Sequence, residues 1–199
     1  DYGSNDILLI QETWLSEFEI KKCLEQITGF TGFYKCKKCK KKKARRFSQG
    51  LLVLVKDYIV QNFEVKSVDI NEAILNVRIA DDSLKISIFN CYFPPSNSPV
   101  YTEQSYEDIF EQLEMSIKAS QEDGFTCITA GDFNAKTGLL PDVMEDMNEF
   151  VEMPENEDMV ELSIPNRTNV DSVINDFGVY LVNLCKATNM FIVNGRFSK

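Results

Sequence analysis

Glu72–Pro95, EAILNVRIADDSLKISIFNCYFPP, decides the fold. Ala73, Leu75, Val77 and Ile79 alternate with Ile74, Asn76 and Arg78, which is the period of a strand. Asp81-Asp82-Ser83 is turn chemistry. Leu84–Phe93 returns as a second strand, ended by Pro94-Pro95. A connection this short joins antiparallel neighbours, so a doubly wound parallel sheet is excluded.

The same signals extend in both directions. Upstream, Asp6–Gln11 is a short apolar run that reads as a buried strand. Ser16-Glu-Phe-Glu19 is a capping box, predicting a helix from Glu17 to about Ile27 with Ile20, Leu24 and Ile27 on one face. Phe30–Phe47 reads as a lysine-dominated loop. Gly50–Val55 reads as a strand, Lys56-Asp57 as a turn, and Tyr58–Val65 as the strand that follows. Downstream, Ser105–Ala119 predicts a helix with Ile109, Phe110, Leu113 and Ile117 inward. Phe125–Ala130 reads as another buried strand, and Leu139–Val170 as a polar, acidic stretch without a period. Val173–Thr188 predicts a helix with Phe177, Leu181, Leu184 and Cys185 inward, and Met190–Val193 a last strand. The pattern is mixed α/β, with antiparallel sheets flanked by helices.

The 199 residues suffice for one sizeable core. Apolar runs are too short to span a bilayer, and no signal peptide is legible, so a membrane role is not expected. The expected setting is nuclear or cytoplasmic, with the six cysteines reduced. Histidine is absent, which removes the usual imidazole chemistry from these residues. The net charge of −10 disfavours polyanion binding by the chain as a whole. Its distribution is uneven, however. Nine of the 21 basic residues lie between Lys35 and Arg46, and nine acidic residues lie between Asp142 and Glu161. Cys36-x-x-Cys39 has half the spacing of a zinc knuckle, but a structural zinc site needs four ligands and no further set is in view.

Four polar residues sit at the ends of, or within, apolar strands: Glu12, Tyr92, Asp132 and Asn134. A carboxylate there is costly unless it is paired, hydrogen-bonded or bound to a metal. Glu12 and Asp132 suit a hard cation, since Mg2+ takes one or two carboxylates plus water and phosphate oxygens. In extended backbone, the spacing of Asp132 and Asn134 points both side chains to one face. The structural readings stand beside these: a turn at Gly131-Asp132, an Asn satisfying loop backbone, and an edge-strand tyrosine.

Taken in order, Ile10-Gln-Glu-Thr-Trp14, Asn90-Cys-Tyr-Phe-Pro-Pro95 and Gly131-Asp-Phe-Asn-Ala135 resemble the successive signature segments of the DNase I-like endonuclease/exonuclease/phosphatase superfamily. Two further pairs narrow the branch. Ala135-Lys-Thr-Gly138 with Leu140-Pro-Asp142, and Asn175-Asp-Phe-Gly178 with Asn194-Gly-Arg196, look like endonuclease domains of non-LTR (LINE-type) retrotransposons. The resemblance implies a four-layered α/β sandwich, two packed and mostly antiparallel sheets flanked by helices. It implies metal-dependent phosphodiester hydrolysis with Mg2+ or Mn2+, DNA as the substrate nicked, and linkage to a reverse transcriptase. By position, Glu12 would bind the metal, Tyr92 would touch the scissile phosphate, and Asp132 would position or activate water. Asn134 would hydrogen-bond the phosphate. Asn194 would stand on the substrate side. Lys40, Lys41, Lys42, Lys43, Arg45 and Arg46 would contact the DNA backbone.

The sequence departs from that pattern in two places. Nothing matches the family's first strand, with its asparagine near the metal, and nothing matches its closing Ser-Asp-His segment. Residues 1–199 are therefore expected to be a partial, incomplete domain, truncated at both ends and inactive by themselves. The alternatives are a same-fold phosphoesterase acting on RNA, inositol phosphate or sphingolipid, and a non-catalytic transposon-derived binding module.

Overall fold

Strand β3 (Leu51–Lys56) is the organising element of the first sheet, because it is paired on both sides. It lies between β1 (Ile7–Gln11) and β2 (Phe30–Lys35), antiparallel to each. The second sheet runs in the order β4 (Glu64–Asn71), β5 (Ile74–Ala80), β6 (Lys85–Tyr92), β7 (Thr126–Asp132). Its first three strands are antiparallel neighbours, while β7 joins β6 in parallel. The computed structural model describes residues 5–36, 49–102, 105–144 and 164–196. It divides into two units between Phe133 and Asn134, and both sheets belong to the first.

The core of the first unit lies between its two sheets. Odd-numbered residues of β3 and β5 (Leu51, Val53, Val55, and Leu75, Val77, Ile79) pack with Ile88 and Tyr92 of β6. Ile7 and Leu9 of β1 join them. Strand alternation dictates this: each register partner points to the same face, so Leu9 accompanies Val53 and Ile88 accompanies Val77. Burying each such side chain contributes about 1.5–3 kcal/mol.

Helix α3 (Tyr106–Glu122) covers the outer face of the second sheet and connects β6 to β7. Ser105 and Asp108 form its capping box, and Ile109, Phe110, Leu113 and Ile117 are buried as their spacing requires. A crossover of this kind is what a parallel pair needs. Helix α1 (Glu17–Leu24) lies against β2, with Leu24 over Gly32. Its Ser16–Glu19 capping box forms as read from the sequence. The helix ends at Leu24, before Ile27. The architecture is thus two packed sheets with helices outside, the α/β sandwich expected.

Four sequence expectations need correction. Phe30–Lys35 is strand β2 rather than loop: Phe30, Phe33 and Tyr34 are strand-forming aromatics, and β3 offers them a free edge. The rest of that basic stretch, from Lys37 to Ser48, lies outside the described residues. Tyr58–Val65 is not one strand. Residues Asp57–Asn62 form helix α2, and β4 begins at Glu64. A hairpin at Lys56-Asp57 would have kept the chain in the first sheet, whereas α2 carries it to the second. Thr31 Oγ1 donates to Asp57 Oδ1 at 2.9 Å, and Ile59 is buried. Strand β7 is a sheet edge among the described residues, and Ile128 is 47% exposed. Met190–Val193 is not a strand, because no described strand offers it a ladder.

In the second unit, helix α4 (Asp176–Ala187) is capped by Asn175, whose Oδ1 accepts from Gly178 N at 2.8 Å. Phe177, Gly178, Val182, Leu184 and Cys185 are its buried residues. Residues 145–163, most of the acidic stretch, lie outside the described residues. No described helix is long and apolar enough to cross a membrane.

Candidate active site

The end of β1 and the ends of β6 and β7 meet at one rim of the first unit. The β1–β3 ladder continues past Gln11, with Thr13 N donating to Gly50 O at 3.2 Å and Trp14 N to Gln49 O at 3.0 Å. Glu12 lies inside that extension with φ 53°, and Trp14 has φ 56°. Left-handed backbone costs a non-glycine residue of order 1 kcal/mol or more, and persists only when neighbours hold it. Gly50 permits the close approach. Its φ is 104°, and a Cβ there would fall 2.3 Å from Thr13 Oγ1.

Tyr92 and Asp132 are register partners on the parallel pair β6–β7, so their side chains share a face. Two backbone bonds fix the strand end: Tyr92 N donates to Ala73 O at 2.9 Å, and Phe93 N to Asp132 O at 2.8 Å. Gly131 lets the two backbones close up here. Its φ is 137°, and a Cβ would lie 1.9 Å from the Cys91 carbonyl oxygen. Behind the rim, the Phe93 ring stacks at 4.5 Å from Phe110 and 5.2 Å from Phe133.

Glu12 completes the group. Its carboxylate lies beside the Tyr92 phenol and accepts from the Trp14 indole Nε1 at 3.2 Å. Burial pushes the Tyr92 phenol above its ordinary range, and the adjacent Glu12 and Asp132 carboxylates push it further. The phenol therefore keeps its proton at neutral pH and serves as a hydrogen-bond donor. The rim carries two carboxylates and one phenol donor, with Trp14 47% exposed beside them.

The structure thus brings Glu12, Tyr92 and Asp132 together. Asn134 opens the second unit and has φ 48°. Strand β7 ends at Asp132, so the extended-backbone argument that paired Asp132 with Asn134 does not apply. The Asn134 carbonyl accepts from Asn175 Nδ2 at 2.9 Å. Asn194 is exposed in a turn of the second unit. Lys40, Lys41, Lys42, Lys43, Arg45 and Arg46 lie outside the described residues, as does Cys39.

Three site neighbours escaped the sequence reading: Trp14, Gln11 and Asn90. Gln11 Nε2 donates to Asn90 Oδ1 at 2.5 Å. The legible signal was a polar residue on an apolar period-two face, Asn90 between Ile88 and Tyr92. In the second unit, Arg196 of the Asn-Gly-Arg segment was also missed. It is buried against Asp142.

Hard oxygen donors fit Mg2+ or Mn2+ better than zinc, which favours nitrogen and sulfur. Among the described residues, no group of three or more His, Cys, Asp or Glu could cage an ion.

Residues 2–144 match the endonuclease/exonuclease/phosphatase family, and the chain belongs to it. Members of this family are in general hydrolases of phosphodiester bonds and generally use divalent metal ions. Among solved structures, the endonuclease domain of TRAS1, a telomere-specific non-LTR retrotransposon, is similar at 20% identity and TM-score 0.44, over 68% of this chain and 51% of that one. The D. rerio TDP2 complexed with single strand DNA product is similar at 14% and 0.41, over 67% and 50%. Truncated Caenorhabditis elegans TDP2 is similar at 16% and 0.41, over 66% and 50%. The chain spans about half the length of these structures. No curated protein matches it.

Proposed function

We propose that this chain carries the metal- and phosphate-binding part of a retrotransposon-type endonuclease domain that hydrolyses DNA phosphodiesters with Mg2+ or Mn2+. In the polypeptide of origin it is joined to a reverse transcriptase. The observation that supports this most is the convergence of Glu12, Tyr92 and Asp132 at one rim, on register partners and a pinned strand end. The resemblance of Ala135–Gly138 and Asn194–Arg196 to LINE-type domains favours DNA over RNA, inositol phosphate or sphingolipid.

Glu12, Tyr92 and Asp132 have roles suited to their geometry, and the roles of the other residues follow the resemblance alone. Glu12 and Asp132 would hold the cation. A bound divalent ion supplies charge to the phosphoryl oxygens and lowers the pKa of a coordinated water. Tyr92, kept protonated by burial and by the two carboxylates, donates a hydrogen bond toward a phosphate oxygen. Asp132 orients the attacking water and takes its proton. Asn134, two residues further along the chain, offers a second donor to the phosphate. Lys40–Lys43, Arg45 and Arg46 would neutralise backbone phosphates, making binding salt-dependent.

A second reading has one observation behind it: the chain contains no histidine to protonate a leaving alkoxide. A non-catalytic module on the same scaffold would bind metal and DNA without cutting. Nicking of supercoiled plasmid by a chain extended to the length of the similar solved structures decides between them. The enzyme reading expects open circles that need Mg2+ or Mn2+, vanish with chelator, and fall at least about tenfold in Glu12→Gln. Nicking unchanged in that variant contradicts the site. Metal binding with no nicking at all favours the second reading.

A further inference from the structure

The even-numbered residues of β6, Ile86, Ile88, Asn90 and Tyr92, face the first sheet. All but Asn90 are hydrophobic or aromatic, and Asn90 is fully buried at 0% exposure. An amide in an apolar layer is costly unless its polar atoms are all satisfied. Asn90 satisfies them across the layer. Oδ1 accepts from Gln11 Nε2 at 2.5 Å, while Nδ2 donates to Ile10 O at 3.1 Å and Leu52 O at 3.2 Å. Ile10 and Leu52 are register partners on β1 and β3. One side chain therefore binds β6 to two strands of the opposite sheet.

Apolar contact between sheets is non-directional and fixes no register along the strands. Hydrogen bonds do fix it. The bond from Gln11 to Asn90 is one such tie, and the Tyr92 phenol lies beside the Glu12 carboxylate one residue further along, just past the end of β1. Glu12 must also be held in left-handed backbone.

We propose that Asn90 is a positioning residue: by locking the end of β1 to β6, it sets the place of the Glu12 carboxylate beside Tyr92 and Asp132. This rests on the reading of Glu12 as a metal ligand given above.

The test uses Asn90→Leu, which is nearly isosteric, and the double variant Asn90→Leu/Gln11→Leu, which removes the whole side-chain pair. Three readouts are compared: thermal unfolding, amide exchange at Thr13 and Trp14 relative to β4 and β5, and Mn2+ titration of Trp14 fluorescence. Trp14 is the only tryptophan, and its indole donates to Glu12. In Asn90→Leu, exchange at Thr13 and Trp14 rises about tenfold or more beyond any change in β4 and β5. The Mn2+ midpoint rises about 10–100-fold. The double variant recovers part of the thermal stability, because the side-chain pair is replaced by apolar groups at little cost while Ile10 O and Leu52 O still lose a donor. It does not recover the Mn2+ midpoint or the protection at Thr13 and Trp14. A double variant with wild-type protection at those amides overturns the proposal. If the wild-type chain shows no Mn2+ response while Thr13 and Trp14 still lose protection in both variants, the metal reading fails and the positioning role stands.

Discussion

Asp132→Ala lowers metal-dependent phosphodiester cleavage by about 10²–10⁴-fold, the range for removing a group that moves a proton in the transition state. The substrate that reads this best is an activated aryl phosphodiester of thymidine. A phenolate leaving group needs no proton, so a chain without histidine is judged on attack alone. The size of the effect follows from where Asp132 sits. It is the last residue of β7, in register with Tyr92, and its backbone carbonyl accepts from Phe93 N. Alanine at Asp132 keeps these backbone bonds, so the strand end survives and the loss falls on chemistry. Thermal unfolding of Asp132→Ala should therefore stay close to wild type. A rate unchanged within about threefold would remove Asp132 from the site, since a proton-transfer role predicts far more.

Asp142→Ala destabilises the second unit by about 3–5 kcal/mol, the usual cost of breaking a buried ion pair by deleting one partner. Asp142 and the two arginines around it are nearly inaccessible, with side-chain exposures of 4%, 6% and 4% for Asp142, Arg167 and Arg196. Arg196 Nη2 donates to Asp142 Oδ1 at 2.5 Å, and Ile192 N donates to Oδ2 at 2.7 Å. Arg167 is tied to Thr137 Oγ1 at 2.5 Å and to Leu140 O at 2.8 Å. Removing the carboxylate leaves two buried guanidinium groups without a counter-charge among the described residues. Burial alone would raise the Asp142 pKa. The Ile192 amide and the Arg196 guanidinium outweigh it and hold the carboxyl below the ordinary range. The sign follows: a folded-state pKa below the unfolded one gives stability that is complete above about pH 4 and declines as pH falls through the folded value. Amide exchange in α4 should therefore show acid-dependent opening in the wild-type chain that Asp142→Asn lacks. A flat acid response in the wild type would show that the pair contributes nothing.

Most of the fold was legible because its elements obey one period each. Strands β1, β3, β5 and β6 alternate or run apolar, and helices α1, α3 and α4 carry caps with apolar faces at helical spacing. Element α2 reads as strand because Tyr58 is aromatic and Ile59 and Val60 are β-branched, and nothing local says that the chain must change sheets there. Strand β2 was hidden by the lysines that follow it. The parallel placement of β7 depends on the α3 crossover, which short-range pattern does not specify. Glu12, Tyr92 and Asp132 could be picked out because each is polar at the end of an apolar strand and lies in a recognisable segment. Gln11 and Asn90 were not, since the bond that explains them joins residues 79 apart in sequence.

Titration of the wild-type chain with Mn2+, followed by Trp14 fluorescence and compared with Glu12→Gln and Asp132→Ala, tests the central claim most directly. Mn2+ held at Glu12 gives saturable quenching of the only tryptophan, whose indole Nε1 lies 3.2 Å from Glu12 Oε2. The midpoint rises at least about tenfold in each variant. Quenching with the same midpoint in all three chains would contradict a metal site built on Glu12 and Asp132.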